Sequence, residues 1–160
     1  MGSLMPEIDF EPIHNDPFVV AMRREHPYAE RKSVVWADLE GERLISVARS
    51  SGNRQLLDDA LAKEGLNLTY AFEVSHMATL LGMVEAGLGL ALVPRMALAL
   101  DHPTVKGIPL RNLKVERRLG LLRRRGANLR PAASIFHQHL HKALTAGKAE
   151  TKVTALPESA

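Results

Sequence analysis

Met83-Val84-Glu85-Ala86-Gly87-Leu88-Gly89-Leu90-Ala91-Leu92-Val93-Pro94 is the stretch on which the reading of this chain turns. Its first half closes a helix: Met77, Leu80, Leu81 and Val84 recur at helical spacing, and Gly87 stands where a helix ends. Its second half, Gly89 to Pro94, is a short, wholly apolar strand stopped by proline. Gly82, Gly87 and Gly89 do not make a phosphate loop. No Gly-Lys-Ser/Thr follows, the pattern is not G-x-G-x-x-G, and the glycines come after a helix instead of before one. They read as a C-cap plus close packing.

The same alternation extends in both directions. Upstream, Phe18 to Met22 and Arg43 to Ala48 have the length and apolar content of buried strands, with a turn or helical corner at Trp36-Ala37-Asp38-Leu39 between them. Ser50-Ser51-Gly52-Asn53 then opens a helix whose Leu56, Leu57, Ala60 and Leu61 share a face, and Gly65 follows at its C′ position. Leu68, Tyr70, Phe72 and Val74 alternate with more polar residues, which predicts a strand, and Ser75 is placed to cap the Met77 helix. Downstream, Arg95 to Leu100 reads as a short helix and Val105 to Leu110 as a strand at an edge, or ending there, because it holds a proline. Arg118 to Leu122 is a further strand, and Pro131 opens a terminal helix with Ala133, Phe136, Leu140 and Leu144 on one face. Regular β/α alternation predicts an α/β fold with a mostly parallel sheet covered by helices.

Composition narrows the function. The 160 residues are 46% hydrophobic and 24% charged and carry a formal charge of +3. Such a chain can bury a core without metal or disulfide. With no cysteine, thiol catalysis, thiolate zinc sites and disulfides are excluded. Seven aromatic rings are too few for the stacking platforms of single-stranded nucleic-acid binders. Glu7, Asp9 and Glu11 precede the first basic residue, Arg23, so no cationic signal-peptide region is present. The apolar stretch from Val74 to Val84 is far short of the ~20 residues a membrane helix needs. A cytoplasmic protein without a membrane partner is expected. Charge is concentrated between Arg111 and Arg130, where eight basic residues face the single acid Glu116. With no helix-turn-helix or other nucleic-acid motif beside it, that run reads as a solvated strand end or subunit contact in preference to a phosphate-binding surface.

The candidate ligand site is the loop Arg49-Ser50-Ser51-Gly52-Asn53-Arg54, where a strand gives way to a helix N-terminus. Sheets of this class place ligands there, and unpaired backbone N–H groups attract anions. Arg49 suits a carboxylate, Ser50, Ser51 and Asn53 supply polar contacts, and the alternative is an ordinary helix cap with solvated arginines. Ser75-His76 holds the equivalent place in the next unit, so the two loops converge if their strands are adjacent and parallel. His76 serves equally as a ligand group or as a surface cap. His137 and His141 are one helical turn apart, but two imidazoles are too few for a metal and His139 points elsewhere, so no metal and no cofactor are expected. No G-x-S-x-G elbow or H-E-x-x-H motif indicates catalysis.

The segments EPIHNDPFVVAMRREHPYA, Trp36-Ala37-Asp38-Leu39, Ser51 with Arg54, Glu73-Val74, MVEAGLGLALVP, RRLGLLRRRG and PAASIFHQHL occur in an order that resembles the effector-binding domain of LysR-type transcriptional regulators, over about residues 10 to 144. The resemblance implies a type 2 periplasmic-binding-protein-like, Rossmann-like α/β fold of two lobes, the second essentially complete and the first only partial. On that pattern residues 1–17 are an N-terminal extension and crossing strand, and 18–110 are effector-binding lobe two. Residues 111–145 are the C-terminal return to lobe one, and 146–160 are a disordered tail. The resemblance further implies a small-molecule effector, bound at a cleft bordered by the Arg49 to Asn53 loop and Ser75-His76, that acts by conformational change. DNA would be reached only through a helix-turn-helix domain absent from these residues. A free-standing solute binder, or an enzyme on a related two-lobed fold, is the alternative. Apolar residues around Phe136 and Leu140 point to a homodimer or higher homo-oligomer.

Overall fold

Strand β1, Ile8–Arg23, serves both parts of the molecule. The computed structural model describes residues 7–126 and 130–151, with side chains described as far as residue 143. The chain divides into two units, one built from the residues before Asp16 and after Arg117, the other from Asp16 through Arg117.

In the second unit the elements after β1 are β2 (Val34–Val35), a 3-10 turn (Trp36–Leu39), β3 (Leu44–Val47), α1 (Gly52–Lys63), β4 (Phe72–Val74), α2 (Met77–Glu85), β5 (Leu90–Pro94), a 3-10 turn (Arg95–Ala97) and β6 (Val105–Arg111). The sheet order is β2-β6-β1-β5-β3-β4. β3 runs parallel to β4 and to β5, and β2 parallel to β6, whereas β1 runs antiparallel to β5 and β6. The parallel arrangement expected from β/α alternation thus holds among the later strands, and the crossing strand is its exception.

Alternate residues of each strand feed two cores, one on each face. Val20, Met22, Leu44, Leu90 and Leu92 pack with Leu57 and Leu61 of α1. Val19, Ala21, Ile45, Val47, Ala91 and Val93 pack with Leu80 and Val84 of α2. This is why the GLGLALVP strand has no polar phase: both its faces are covered, and each fully buried aliphatic side chain contributes about 1.5–3 kcal/mol. Gly87 has φ +76° and ends α2 in the left-handed conformation expected of a C′ glycine. Gly89 is required for packing, since a Cβ there would lie 2.3 Å from the Arg43 carbonyl oxygen of the neighbouring chain segment.

Several expectations change. The strand anticipated from Leu68 is only Phe72–Val74, because its partner β3 is four residues long and its register with β4 begins at Ile45↔Phe72. Leu66, Leu68 and Tyr70 keep their alternation but pack as irregular chain against the α1-face core. Leu56 is 41% exposed, so the buried stripe of α1 is Arg54, Leu57 and Leu61. β6 is not the terminal strand, although only the two residues of β2 cover its outer flank, at Leu110 and Arg111. Leu113 and Val115 belong to the α1-face core, so the second unit extends past residue 110 to Arg117.

In the first unit the leading half of β1 pairs β7, Glu116–Arg124, and α3 spans Pro131–Thr151. Residues 146–151, read as tail, are therefore helical, and 152–160 lie outside the described residues. Phe136 is 65% and Ile135 57% exposed, while His137 and Leu140 are half-buried. The exposure of Phe136 fits the apolar, self-associating side expected on this helix, whereas Leu140, expected on the same side, is half-buried together with His137.

Candidate functional site

β3 and β4 are adjacent and parallel, with Val47 opposite Val74, so the chain leaves both strands at the same end of the sheet. The Ala48 N–H donates to the Val74 carbonyl at 2.8 Å and ties the two exits together. Arg49, Ser50 and Ser51 on one loop and Ser75 and His76 on the other therefore stand side by side, which is the convergence the sequence reading made conditional on this pairing.

Neither loop spends its side chains on capping. Ser51 occupies the N-cap position of α1 and His76, not Ser75, that of α2, and neither side chain makes a capping hydrogen bond. The side chains of Arg49, Ser50, Ser51, Ser75 and His76 have no hydrogen-bond or ion-pair partner among the described residues. An open hollow of about 530 Å³ is lined by Ser51, Gly52, Asn53, Gln55, Leu56 and Asp59, so of the expected site residues it takes in Ser51 and Asn53 and not Arg49, Ser50, Ser75 or His76. Polar groups free of internal partners, next to the N–H groups of a helix N-terminus, suit a small anion or polyol. Asn53 differs from the others in being engaged, its Oδ1 accepting from Arg117 Nη1 at 3.5 Å.

The loop rests on Arg54, which the sequence places at the helix start without a role of its own in the site. Arg54 is 6% exposed. Its Nε lies 2.8 Å from both oxygens of Asp58, and its Nη1 donates to Ser46 Oγ at 3.0 Å and stands 3.7 Å from Glu73 Oε2. Its guanidinium carbon stacks 4.0 Å from the centre of the Tyr70 ring. One side chain thus joins α1, β3, β4 and the irregular segment before β4. The signal was available in part: position 54 shares the helical face of Leu57 and Leu61, with Asp58 at i+4. Burial pushes the Tyr70 phenol up to about 12, and among the described residues its hydroxyl has no hydrogen-bond partner.

Other sequence candidates lie elsewhere. His137 Nε2 is 2.9 Å and His141 Nε2 3.5 Å from opposite oxygens of Glu11, and the His139 ring nitrogen is 2.8 Å from the Ile135 carbonyl. Among the described residues no group of three or more His, Cys, Asp and Glu is placed to hold a metal ion. Of the basic run, Arg123 and Arg125 flank Asp9 at 3.7 and 3.1 Å, and Arg117 turns to the buried Asp16 at 2.8 Å. No described helix is long and apolar enough to cross a membrane.

The second unit is therefore a mixed α/β sheet with a helix on each face, entered by a long crossing strand and carrying paired strand-end loops. Residues 3–145 match the LysR substrate binding domain, and the chain belongs to that family. It is 45% identical over 130 residues to the uncharacterized HTH-type transcriptional regulator YbhD of Escherichia coli, covering 81% of this chain and 41% of that protein. It is 31% identical over 121 residues to the DNA-binding transcriptional dual regulator OxyR of Escherichia coli, covering 74% and 40%. The chain thus spans about two fifths of the length of these relatives. Among solved structures, the regulatory domain of CcmR from Synechocystis, in complex with 2-PG, superposes with a TM-score of 0.75 at 17% identity over 90% of this chain and 70% of that one. The effector-binding domain of QuiR, in complex with shikimate, superposes with a TM-score of 0.71 at 25% identity over 93% and 69%.

Proposed function

We propose that this chain is the effector-sensing part of a LysR-type transcriptional regulator and that a small anionic metabolite binds at Arg49, Ser50, Ser51, Asn53, Ser75 and His76. The carrying observation is the parallel β3–β4 pairing, from whose adjacent ends lead two loops with hydroxyls, a guanidinium and an imidazole that have no internal partner among the described residues. Support comes from the family and from two fold relatives described in complex with shikimate and with 2-PG, both small and oxygen-rich. The effector acts by differential affinity for alternative conformations, with no chemistry performed on it, and DNA is contacted through a helix-turn-helix segment outside these 160 residues. The regulator works as a homo-oligomer in the cytoplasm.

The test is a thermal-shift screen against small carboxylates, aromatic acids, amino acids and sugar phosphates, with Ser51→Ala and His76→Ala as controls. Ligand at 100 times its dissociation constant stabilises by about 2.7 kcal/mol, or roughly 5–10 °C at this size. A shift that both replacements abolish, with the compound recovered unchanged, supports the proposal. A compound converted to product, or a shift indifferent to both replacements, contradicts it.

A further inference from the structure

The chain passes between its units at Asn15–Asp16 and again at Arg117–Arg118. Asp16 and Arg117, the residues on the second unit's side of these two passages, are bonded to each other: Arg117 Nε donates to Asp16 Oδ2 at 2.8 Å. Asp16 is completely buried, and its other oxygen accepts the Met96 backbone N–H at 3.0 Å, so the carboxylate is fixed on both sides. Arg117 keeps 28% of its side chain exposed and extends Nη1 to Asn53 Oδ1, beside the hollow at the start of α1. A guanidinium has five N–H donors. Two are used in these bonds, the one to Asn53 at the long distance of 3.5 Å, and Nη2 has no partner among the described residues.

We infer that Arg117 is an effector-contacting residue, its guanidinium held from behind by Asp16 and presented beside Asn53 to a carboxylate or phosphate of the ligand. This deepens the function proposed above and rests on it. An arginine already clamped by a buried carboxylate loses little rotamer freedom on binding, and its open fork suits two oxygens of one anion. Asp16 is a positioning residue that never touches the ligand. The placement also couples the site to the passages between units: a ligand that takes up Arg117 acts on the group that ties the two strands together where they leave the second unit.

The experiment is a titration of the whole 160-residue chain with inorganic phosphate and, separately, malonate, followed by the backbone amides of 49–53 and by the Nε–H resonance of Arg117, with affinities by calorimetry. We expect the loop amides and the Arg117 Nε–H signal to move together with one dissociation constant. Arg117→Met should weaken binding tenfold or more, Arg117→Lys less, and Asp16→Asn severalfold although it removes no ligand contact. The Nε–H signal of the unaltered chain keeps the proposal falsifiable if a variant fails to fold. Loop amides that respond while the Arg117 signal stays still, with Arg117→Lys binding at the original affinity, would overturn the role of Arg117 and leave the sensing site standing. Loop amides indifferent to both anions would overturn the sensing site and this inference with it.

Discussion

Replacing Arg54 by methionine keeps an unbranched stem against the core and removes the guanidinium, and the cost follows from what each partner does next. Ser46 Oγ still donates to the Val47 carbonyl at 3.1 Å, so no buried hydroxyl is orphaned. Asp58 and Glu73 are 44% and 48% exposed and return to water. The change therefore avoids the 3–5 kcal/mol that stranding a buried charge costs. What is lost is one charge-assisted hydrogen bond to a buried hydroxyl, about 1 kcal/mol, the stacking on Tyr70, about 0.5–1 kcal/mol, and a half-exposed ion pair discounted for screening to about 0.5 kcal/mol. The expected loss is about 2 kcal/mol, or a Tm lowered by roughly 4–8 °C. Urea and thermal unfolding by circular dichroism at neutral pH measure it, with Asp58→Asn as the second arm of a double-mutant cycle whose coupling should be near 0.5 kcal/mol. A Tm within 1 °C of the original would refute the assignment of Arg54 as the tie beneath the loop. A loss above 5 kcal/mol would refute the argument that its acidic partners rehydrate.

Gly89→Ala should abolish folding or cost several kcal/mol, because the new Cβ meets the Arg43 backbone and not a movable side chain; soluble yield and unfolding midpoint report it. Tyr70→Phe should leave stability at neutral pH unchanged or slightly higher, since the hydroxyl it deletes is buried without a partner among the described residues. The folded-state pKa of Tyr70 lies above the ordinary 10, so the chain's stability should fall as pH rises from about 10 toward about 12, where only the unfolded chain has released that proton. Tyr70→Phe should flatten that fall in urea midpoints collected across the range. Phe136→Glu, which changes a side chain 65% exposed on α3, should shift the chain toward monomer in light scattering at high concentration if this face carries the self-association proposed above.

The alternation of apolar runs with capped helical stripes made the second unit legible, because strands covered on both faces carry no polar phase and helix ends carry glycine. The strand-end loops were legible for the same reason, since their positions follow from the element order. Three features were not. The run from Leu68 alternates as a strand does but lacks a partner long enough to pair with, and pairing is decided by β3, more than twenty residues away. The bond between Asp16 and Arg117 joins residues 101 positions apart with no local pattern to mark either one. On α3 the pairing of His137 and His141 with Glu11 joins residues at opposite ends of the chain with no local pattern to mark it, whereas the exposed Phe136 is the one feature of this helix that its apolar stripe foretold.

Whether an effector binds at the two strand exits is decided by a backbone amide map of the chain titrated with the compound that most raises its Tm. The expected changes are concentrated at residues 48–53 and 75–76, on the two adjoining strand exits, and saturate with a single dissociation constant. Changes confined to other parts of the chain, with both loops unmoved at saturation, would contradict binding at these exits.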